Sequence, residues 1–383
     1  MKVFWIGDAI VNSGFSRVTH SICNELSEKC EVVVYGIRYD GKIRHGNKYY
    51  IYPAQSGSDC YSFDDVSRVI LKENPDVVVI FNDLWVIEQY LIDIKNKVEN
   101  YEIKARFVPF LPVNYLPIDK KHILNLSLLG VSTVLSYTDF SGSAIRDINP
   151  NLDIVTVSHG VDRDIFYPID DVKKSQNLED FFVVGNINSN TYRKRLDLFL
   201  IGFYKFARNK SDVKCLIHAS NNEISYDLRD IAKDLGISDK VIISERSLSN
   251  DNINLLYNML DVNVNTAMGE GFGLTLAEGA SCGVPIICSD IGNFHSIWGD
   301  CAEYIATNHV EYVSGTTYNG VVIDTDDLAS KLNILYENRE YLNLKKRETL
   351  KKIESPKFNW KTISDNIYNT LCDVDNGRVS VIS

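Results

Sequence analysis

The sequence reads as an α/β protein built of two Rossmann-like domains, and three observations predict it. Short apolar runs alternate with longer amphipathic stretches, the pattern of βα units on parallel sheets. The scheme runs through both halves of a chain whose 383 residues exceed one ordinary core. Between the halves, 168–179 is polar and without periodicity, as a linker would be. In the first half the runs predict strands at 2–6, 31–35, 77–81, 105–111, 133–136 and 154–157. Helices are expected at 15–27 and 63–73, and Asn74-Pro75 breaks the chain before the strand at 77. The Tyr-, Gly- and Ser-rich stretch 45–61 reads as a hairpin or loop insert. The second half predicts strands at 181–184, 213–218, 241–243, 262–265, 285–288 and 320–323. Its helices are expected at 193–208, 225–235, 253–259, 274–281 and 326–338. The domains are therefore placed at 1–168 and 180–355, with 169–179 as linker and a last helix within 356–383.

Composition narrows the function. With 45% hydrophobic and 24% charged residues, the chain has ordinary globular composition. A formal charge of −11 argues against a nucleic-acid partner, which would ask for a basic stripe. The eight cysteines are scattered, with no C-x-x-C pair and no His cluster at zinc spacing. Most lie in apolar surroundings, which suggests buried thiols and a reducing compartment, the cytoplasm. The first residues read as a strand entering a turn, and no apolar run approaches the ~18 residues of a membrane span. Contact with a membrane surface stays open, with no segment that points to it.

The most informative stretch runs from Asp261 to Asp290: a buried-type strand, a glycine-rich turn, a short helix closed by Gly283-Val-Pro285, and another apolar strand. Gly269, Gly271 and Gly273 let backbone approach a ligand, and the helix that follows aims unpaired N–H groups and a positive dipole end into the gap. That is a place for a phosphate, with the carboxylates of Glu270 and Glu278 left for hydroxyls. Glycine-rich turns occur in many α/β folds and an acid on a helix is often only solvated. The two glutamates together with the Gly-Val-Pro exit favour the phosphate. The pattern resembles the E-x7-E signature of the retaining glycosyltransferases of family 4, which take a sugar from a nucleotide-sugar donor.

The resemblance extends over nearly the whole chain. It implies the GT-B fold, two facing Rossmann-like domains with the active site in the cleft, and a C-terminal helix crossing back onto the first domain. It also assigns roles. Glu270 would bind hydroxyls of the donor sugar, Glu278 the ribose diol, and the amides around Gly271, Phe272, Gly273, Leu274 and Thr275 the diphosphate. An ionised carboxylate suits a vicinal diol, accepting two hydrogen bonds.

Three other segments bear on the same site. In Gly7–Arg17 a strand ends, a loop with Gly14 follows and a helix begins; the resemblance puts Gly14 beside the donor, while the bland reading is a βα turn capped by Ser13. In Gly185–Asp197, Arg193, Lys194 and Arg195 open a helix, where three cations oppose the dipole and ask for an anion such as a departing diphosphate. The family's lysine falls on Lys194, but its arginine position falls on Ser189, so Arg193 or Arg195 would have to substitute. In the proline-rich loop after the strand at 105–111, Asn114 stands where many relatives carry His or Asp. It can hydrogen-bond a sugar but cannot act as a base. Two tempting residues have plainer readings. His159 is taken as part of a turn around Gly160, with Phe166 and Pro168 packing nearby, and Asp324-Thr-Asp326 as a helix N-cap.

The resemblance therefore implies a retaining glycosyltransferase moving a hexose, guessed as mannose from GDP-mannose because mannosyltransferases are common in that family, to a glycan, lipid or protein hydroxyl. Its catalytic residues would be Glu270, Lys194 and Arg193, with Gly14, Asn114, Arg195, Glu278 and the 271–275 turn binding the donor. No metal and no cofactor beyond the substrate is expected. The alternatives are a sugar-nucleotide-binding protein that has lost activity, which the Ser189 and Asn114 departures favour, and a GT-B-fold epimerase.

Overall fold

The computed structural model describes residues 1–9, 13–42, 48–54, 59–98, 104–219, 226–313, 316 and 318–377. Seven strands form the first sheet: β1 Lys2–Asp8, β2 Glu31–Ile37, β3 Tyr50–Pro53, β4 Val77–Phe81, β5 Arg106–Leu111, β6 Thr133–Ser136 and β7 Asp153–Thr156. All pair in parallel, in the order β3-β2-β1-β4-β5-β6-β7. The central strands are covered on both faces, which is why β4 reads as the unbroken apolar run Val-Val-Val-Ile-Phe rather than an alternating one. The second sheet holds β8 Phe182–Ile187, β9 Val213–His218, β10 Val241–Ser244, β11 Val262–Asn265, β12 Ile286–Ser289 and β13 Ala302–Ile305. These too are parallel, in the order β10-β9-β8-β11-β12-β13. In each sheet the strand order reverses beside the first strand, at β1/β4 and at β8/β11. The loops leaving the carboxyl ends of those strands border the crevice where open α/β sheets take ligands.

The chain divides into two compact units. One comprises Met1–Val113, Ile118–Gly160 and the C-terminal stretch from Lys357; the other comprises Asn114–Pro117 and Val161–Pro356. The change of unit comes at Gly160–Val161, ahead of 169–179. That stretch carries a short helix, Val172–Ser175, and is tied into the second unit by Lys173, which bonds the Asp261 carboxylate at 2.6 Å. The C-terminal helix Trp360–Asp375 buries Trp360, Ile363, Ile367, Leu371 and Val374, the spacing of one helix face. In the first unit Lys29 pairs with Asp365 at 2.5 Å, and a side chain at Gly160 would meet the Trp360 ring at 2.7 Å.

Three expectations need correction. Where a hairpin or loop was read at 45–61, Tyr50–Pro53 is an edge strand parallel to β2; 43–47 and 55–58 lie outside the described residues. The run at 320–323 does not extend the parallel sheet. It lies in β15 Asn319–Ile323, antiparallel to β14 Thr307–Tyr312, because a short connection joins the two strands directly. The helix expected over 193–208 is broken: Tyr192–Lys194 is one 3₁₀ turn, Arg195 adopts φ 49°, and the α-helix runs Leu196–Ala207. Among the described residues no helix is long and apolar enough to cross a membrane.

Candidate active site

In the second unit two loops flank the point where the strand order reverses, one leaving β8 and the other leaving β11. The β11 loop, 266–273, ends at Gly273, whose φ of 82° is the left-handed conformation that starts the helix Leu274–Ser281. A side chain at Gly273 would also meet Phe294 at 2.9 Å. Leu276 N–H closes the first turn on the Gly273 carbonyl at 2.9 Å, and the amides ahead of it have no carbonyl one turn back to reach, as at all helix starts. Two backbone joints lock the loops together: Met268 N–H donates to the Arg193 carbonyl at 2.8 Å, and the Thr266 hydroxyl donates to the Lys194 carbonyl at 2.9 Å.

This joint brings Glu270 against two cations. Its carboxylate Oε2 accepts from Lys194 Nζ and lies 2.9 Å from Arg193 Nη1. Arg193 also donates to the Gly269 carbonyl at 2.8 Å, and Asn293 donates to the Glu270 carbonyl at 2.8 Å. The group is well shielded, with 9% of the Lys194 side chain and 12% of the Glu270 side chain exposed. Burial alone would raise the Glu270 pKa, but Arg193 and Lys194 outweigh it and hold the carboxyl at about 2. Burial and the neighbouring guanidinium pull Lys194 down to about 8, against the opposing pull of Glu270. Two cations facing one carboxylate leave an excess positive charge beside a helix N-terminus. Chemically, that is an anion site whose resident carboxylate is a side chain of the protein.

Arg195 is not part of this group. Its αL backbone turns the guanidinium away, to Asp197 at 3.1 Å and Glu311 on β14 at 3.0 Å. Of the two arginines offered as substitutes for the Ser189 position, the structure places Arg193 with Lys194 and Glu270. Glu278 is buried on the helix Leu274–Ser281, where the Tyr257 hydroxyl donates to its Oε2 at 2.8 Å. Thr275 donates to Asn188 at 3.3 Å, and Phe272 is buried. Asn114 and its neighbours 115–117 pack within the second unit although they follow β5. Asn319 N–H donates to the Leu116 carbonyl at 3.0 Å, and Tyr115 stacks on Tyr318 with ring centroids 6.1 Å apart. A side chain at Gly269 would fall onto the Asn114 carbonyl and the Tyr115 ring. Gly14 belongs to the first unit, at the start of the helix Gly14–Leu26, where the Ser13 hydroxyl accepts from Ser16 N–H at 3.2 Å. Residues 10–12 of that loop lie outside the described residues.

Residues 169–353 match the family model of the glycosyl transferases group 1. The match covers just under half of the chain. Two curated relatives are similar to part of the chain. The N-acetyl-alpha-D-glucosaminyl L-malate synthase of Bacillus anthracis is 28% identical over 180 residues, 45% of this chain and 46% of the relative. The lipopolysaccharide core biosynthesis mannosyltransferase LpsB of Rhizobium meliloti is 25% identical over 186 residues, 46% and 48% respectively. The chain thus spans about half the length of the curated relatives it matches. Solved structures match over almost the full chain. Sucrose-phosphate synthase from Thermosynechococcus elongatus aligns with a TM-score of 0.81 and 12% identity, covering 98% of this chain and 99% of that one. Anabaena HepE, solved with UDP-glucose, aligns with a TM-score of 0.72 and 15% identity, covering 97% and 100%. The fold is that of the GT-B glycosyltransferases.

Two residues with tempting chemistry have structural surroundings. His159 is enclosed by Phe81, Phe110, Tyr137 and Trp360, and burial lowers its pKa to about 3. Asp324 caps the helix Thr325–Glu337, accepting from Asp326 N–H at 2.7 Å. Sequence reasoning passed over Tyr115, whose phenol burial raises to about 12 while Arg193 opposes and Glu270 adds to the rise. It also passed over the run Asn186-x-Asn188-x-Asn190 at the end of β8. Asn186 lies in the strand and the other two follow it; Asn188 donates to Asn186 at 2.7 Å, and Asn190 donates to the Tyr226 carbonyl at 2.7 Å. The repeat of asparagine at every second position was the available signal. At the corresponding point of the first sheet, Asp8 is buried beside Ser13, which donates to it at 3.3 Å. Burial raises the Asp8 pKa, against the pull of Arg38.

Proposed function

We propose that this protein is a glycosyltransferase that moves a hexose from a nucleotide-diphosphate sugar to a hydroxyl of a glycan, lipid or protein, with retention at the anomeric carbon. The reading rests on one observation above all: Arg193 and Lys194 converge on Glu270 at the mouth of a glycine-rich turn that opens a helix carrying Glu278. The donor's diphosphate takes the place of the Glu270 carboxylate on the two cations and meets the amides of 271–275. Glu270, released, binds hydroxyls of the sugar, and Glu278 binds the ribose diol. Bond cleavage puts about two negative charges on the departing diphosphate, where fixed cations and a helix N-terminus stabilise them most. The acceptor attacks on the face the diphosphate leaves and passes its proton to a phosphate oxygen, so no side-chain base is required of Asn114. Arg193 carries the part of the arginine missing at Ser189, which speaks against a protein that only binds. The positive charge needed is supplied by the protein itself, so the reaction proceeds without a metal ion.

The sugar is proposed as mannose from GDP-mannose, in line with the mannosyltransferase named among the relatives. HepE, solved with UDP-glucose, supports a uridine donor as the runner-up. The proposed place of action is the cytoplasm, in keeping with eight cysteines that form no disulfide.

A thermal-shift panel of GDP, UDP, ADP and their common sugars, with and without EDTA, tests this. A ligand at 100 times its Kd adds about 2.7 kcal/mol to folded stability, an easily read shift. The expected result is a response to one diphosphate, indifferent to EDTA and lost in Glu278→Ala. Silence from every nucleotide would overturn the donor site. A shift that disappears with EDTA would overturn the metal-free reading alone.

A further inference from the structure

We infer that the chain forms a two-fold dimer by pairing β14 edge to edge with β14 of a second copy. The hairpin β14–β15 belongs to the second unit, and its two edges differ. On the β15 edge, Val321 N–H donates to the Met268 carbonyl at 2.9 Å and Asn319 N–H to the Leu116 carbonyl at 3.0 Å. Both amides therefore point away from β14. In an antiparallel pair, residues directly opposite exchange both hydrogen bonds or neither. Val310 and Tyr312, opposite Val321 and Asn319, thus turn their own N–H and C=O groups outward. The bonds that close the hairpin fall on the alternate residues, as at Val313, whose N–H donates to the Tyr318 carbonyl at 2.9 Å. Among the described residues no strand lies against the outer edge of β14.

The side chains select the occupant. Open edges are commonly blunted by lysine or proline, and Thr307–Tyr312 has neither. Val310 is 57% exposed and Tyr312 73%, on one face of the strand. The opposite face is held by the unit. Glu311 Oε1 accepts from Tyr192 at 2.7 Å and Arg195 at 3.0 Å, and a side chain at Gly320 would fall onto Met268. A two-fold axis at Val310 satisfies the edge with a copy of itself. Each Val310 amide donates to the other Val310 carbonyl, and the valines and tyrosines of both copies share one apolar face. One step along, each His309 lies opposite the Glu311 of the other copy, whose Oε2 neither Tyr192 nor Arg195 engages. Imidazole against carboxylate is a favourable cross-strand pair, and the symmetry makes it twice. An axis one residue to either side would set glutamate against glutamate or histidine against histidine, and inward-pointing backbone groups at the joint. A foreign strand would have to supply both partners at this spacing; a copy brings them. The bulge between Thr307 and His309 ends the pairing on that side. The product is a four-stranded antiparallel sheet in place of a two-stranded one, which is marginal by itself.

The test is sedimentation equilibrium of the full chain at concentrations up to about 100 μM, where even a dimer of Kd about 10 μM is mostly paired. The mass should rise to that of two chains and stop there. Val310→Pro deletes an outward N–H and spares the bonds that close the hairpin, so it should weaken association roughly 30-fold or more, two hydrogen bonds being lost per dimer. His309→Glu sets carboxylate against carboxylate at two places and should weaken association by about tenfold. His309→Lys, which restores the opposite charge, should pair like the parent. Circular dichroism and cooperative melting will show which variants are folded, and His309→Glu keeps the test open should the proline variant fail to fold. A single-chain mass throughout would overturn the inference, as would a dimer that Val310→Pro and His309→Glu both leave intact. A mass that climbs past two chains without levelling would overturn it too, because a closed two-fold pair stops at two. None of these outcomes depends on which sugar nucleotide the protein takes.

Discussion

Glu270 faces two cations, Arg193 and Lys194, and this balance decides how the site behaves before a ligand arrives. In the proposed reaction the carboxylate and a donor phosphate compete for the same pair. Glu270→Gln should therefore bind a nucleoside diphosphate severalfold more tightly, by calorimetry, while sugar transfer falls by about 10²–10³-fold. A parallel loss of diphosphate binding would mean that the carboxylate organises the cations rather than competing for them. The same substitution should lower stability to urea at pH 7, because the folded protein holds this carboxyl below its usual value. Because the folded pKa is depressed, that stabilisation is complete above the ordinary carboxylate pKa and lost as pH falls toward about 2. Lys194 sets the alkaline limit. Its proton leaves near pH 8 in the free protein, so diphosphate affinity should be level below that pH and fall above it. Lys194→Met should bind weakly with no inflection there.

At the scale of elements, the site depends on how closely backbones approach. Gly269 lies against the Asn114 carbonyl and the Tyr115 ring, so a methyl group there has no room. Gly269→Ala should cost about 1–3 kcal/mol in chemical denaturation and displace the 114–117 segment, seen as altered fluorescence of Tyr115 and reduced donor affinity. Stability and affinity equal to the parent would mean that the segment is not seated where the structure places it. The break at Arg195 works in the same way. A continuous helix from 193 would have spread three cations around its first turn. The αL residue instead sends Arg195 to Asp197 and Glu311 and leaves Arg193 and Lys194 on Glu270. Local sequence gives no sign of this, because arginine has no preference for a positive φ and only the tertiary partners hold it there.

At the scale of the whole molecule, the first unit is closed by residues from the far end of the chain. Trp360 packs against His159 and the backbone of Gly160, so Trp360→Ala should destabilise that unit by about 3 kcal/mol. Guanidine unfolding should show the loss while the nucleotide response survives. A variant as stable as the parent would mean the helix Trp360–Asp375 is not part of the unit's core. The parallel strands were legible because they are buried on both faces: 77–81, 133–136, 213–218 and 262–265 coincide with β4, β6, β9 and β11. So were the glycine turn and its two glutamates, since these residues are neighbours in sequence. The edge strand β3, the antiparallel pair β14–β15 and the seat of 114–117 were not legible, because each is defined by partners distant in sequence. By itself, then, the sequence determined the two α/β units and the glycine turn with its two glutamates, which follow from periodicity and from residues a few positions apart. Only the tertiary structure decided that Arg193 rather than Arg195 joins Glu270, that Tyr115 reaches the same group, and that Val310 and Tyr312 face outward. Those outcomes depend on which side chain fills which space once the sheets are packed.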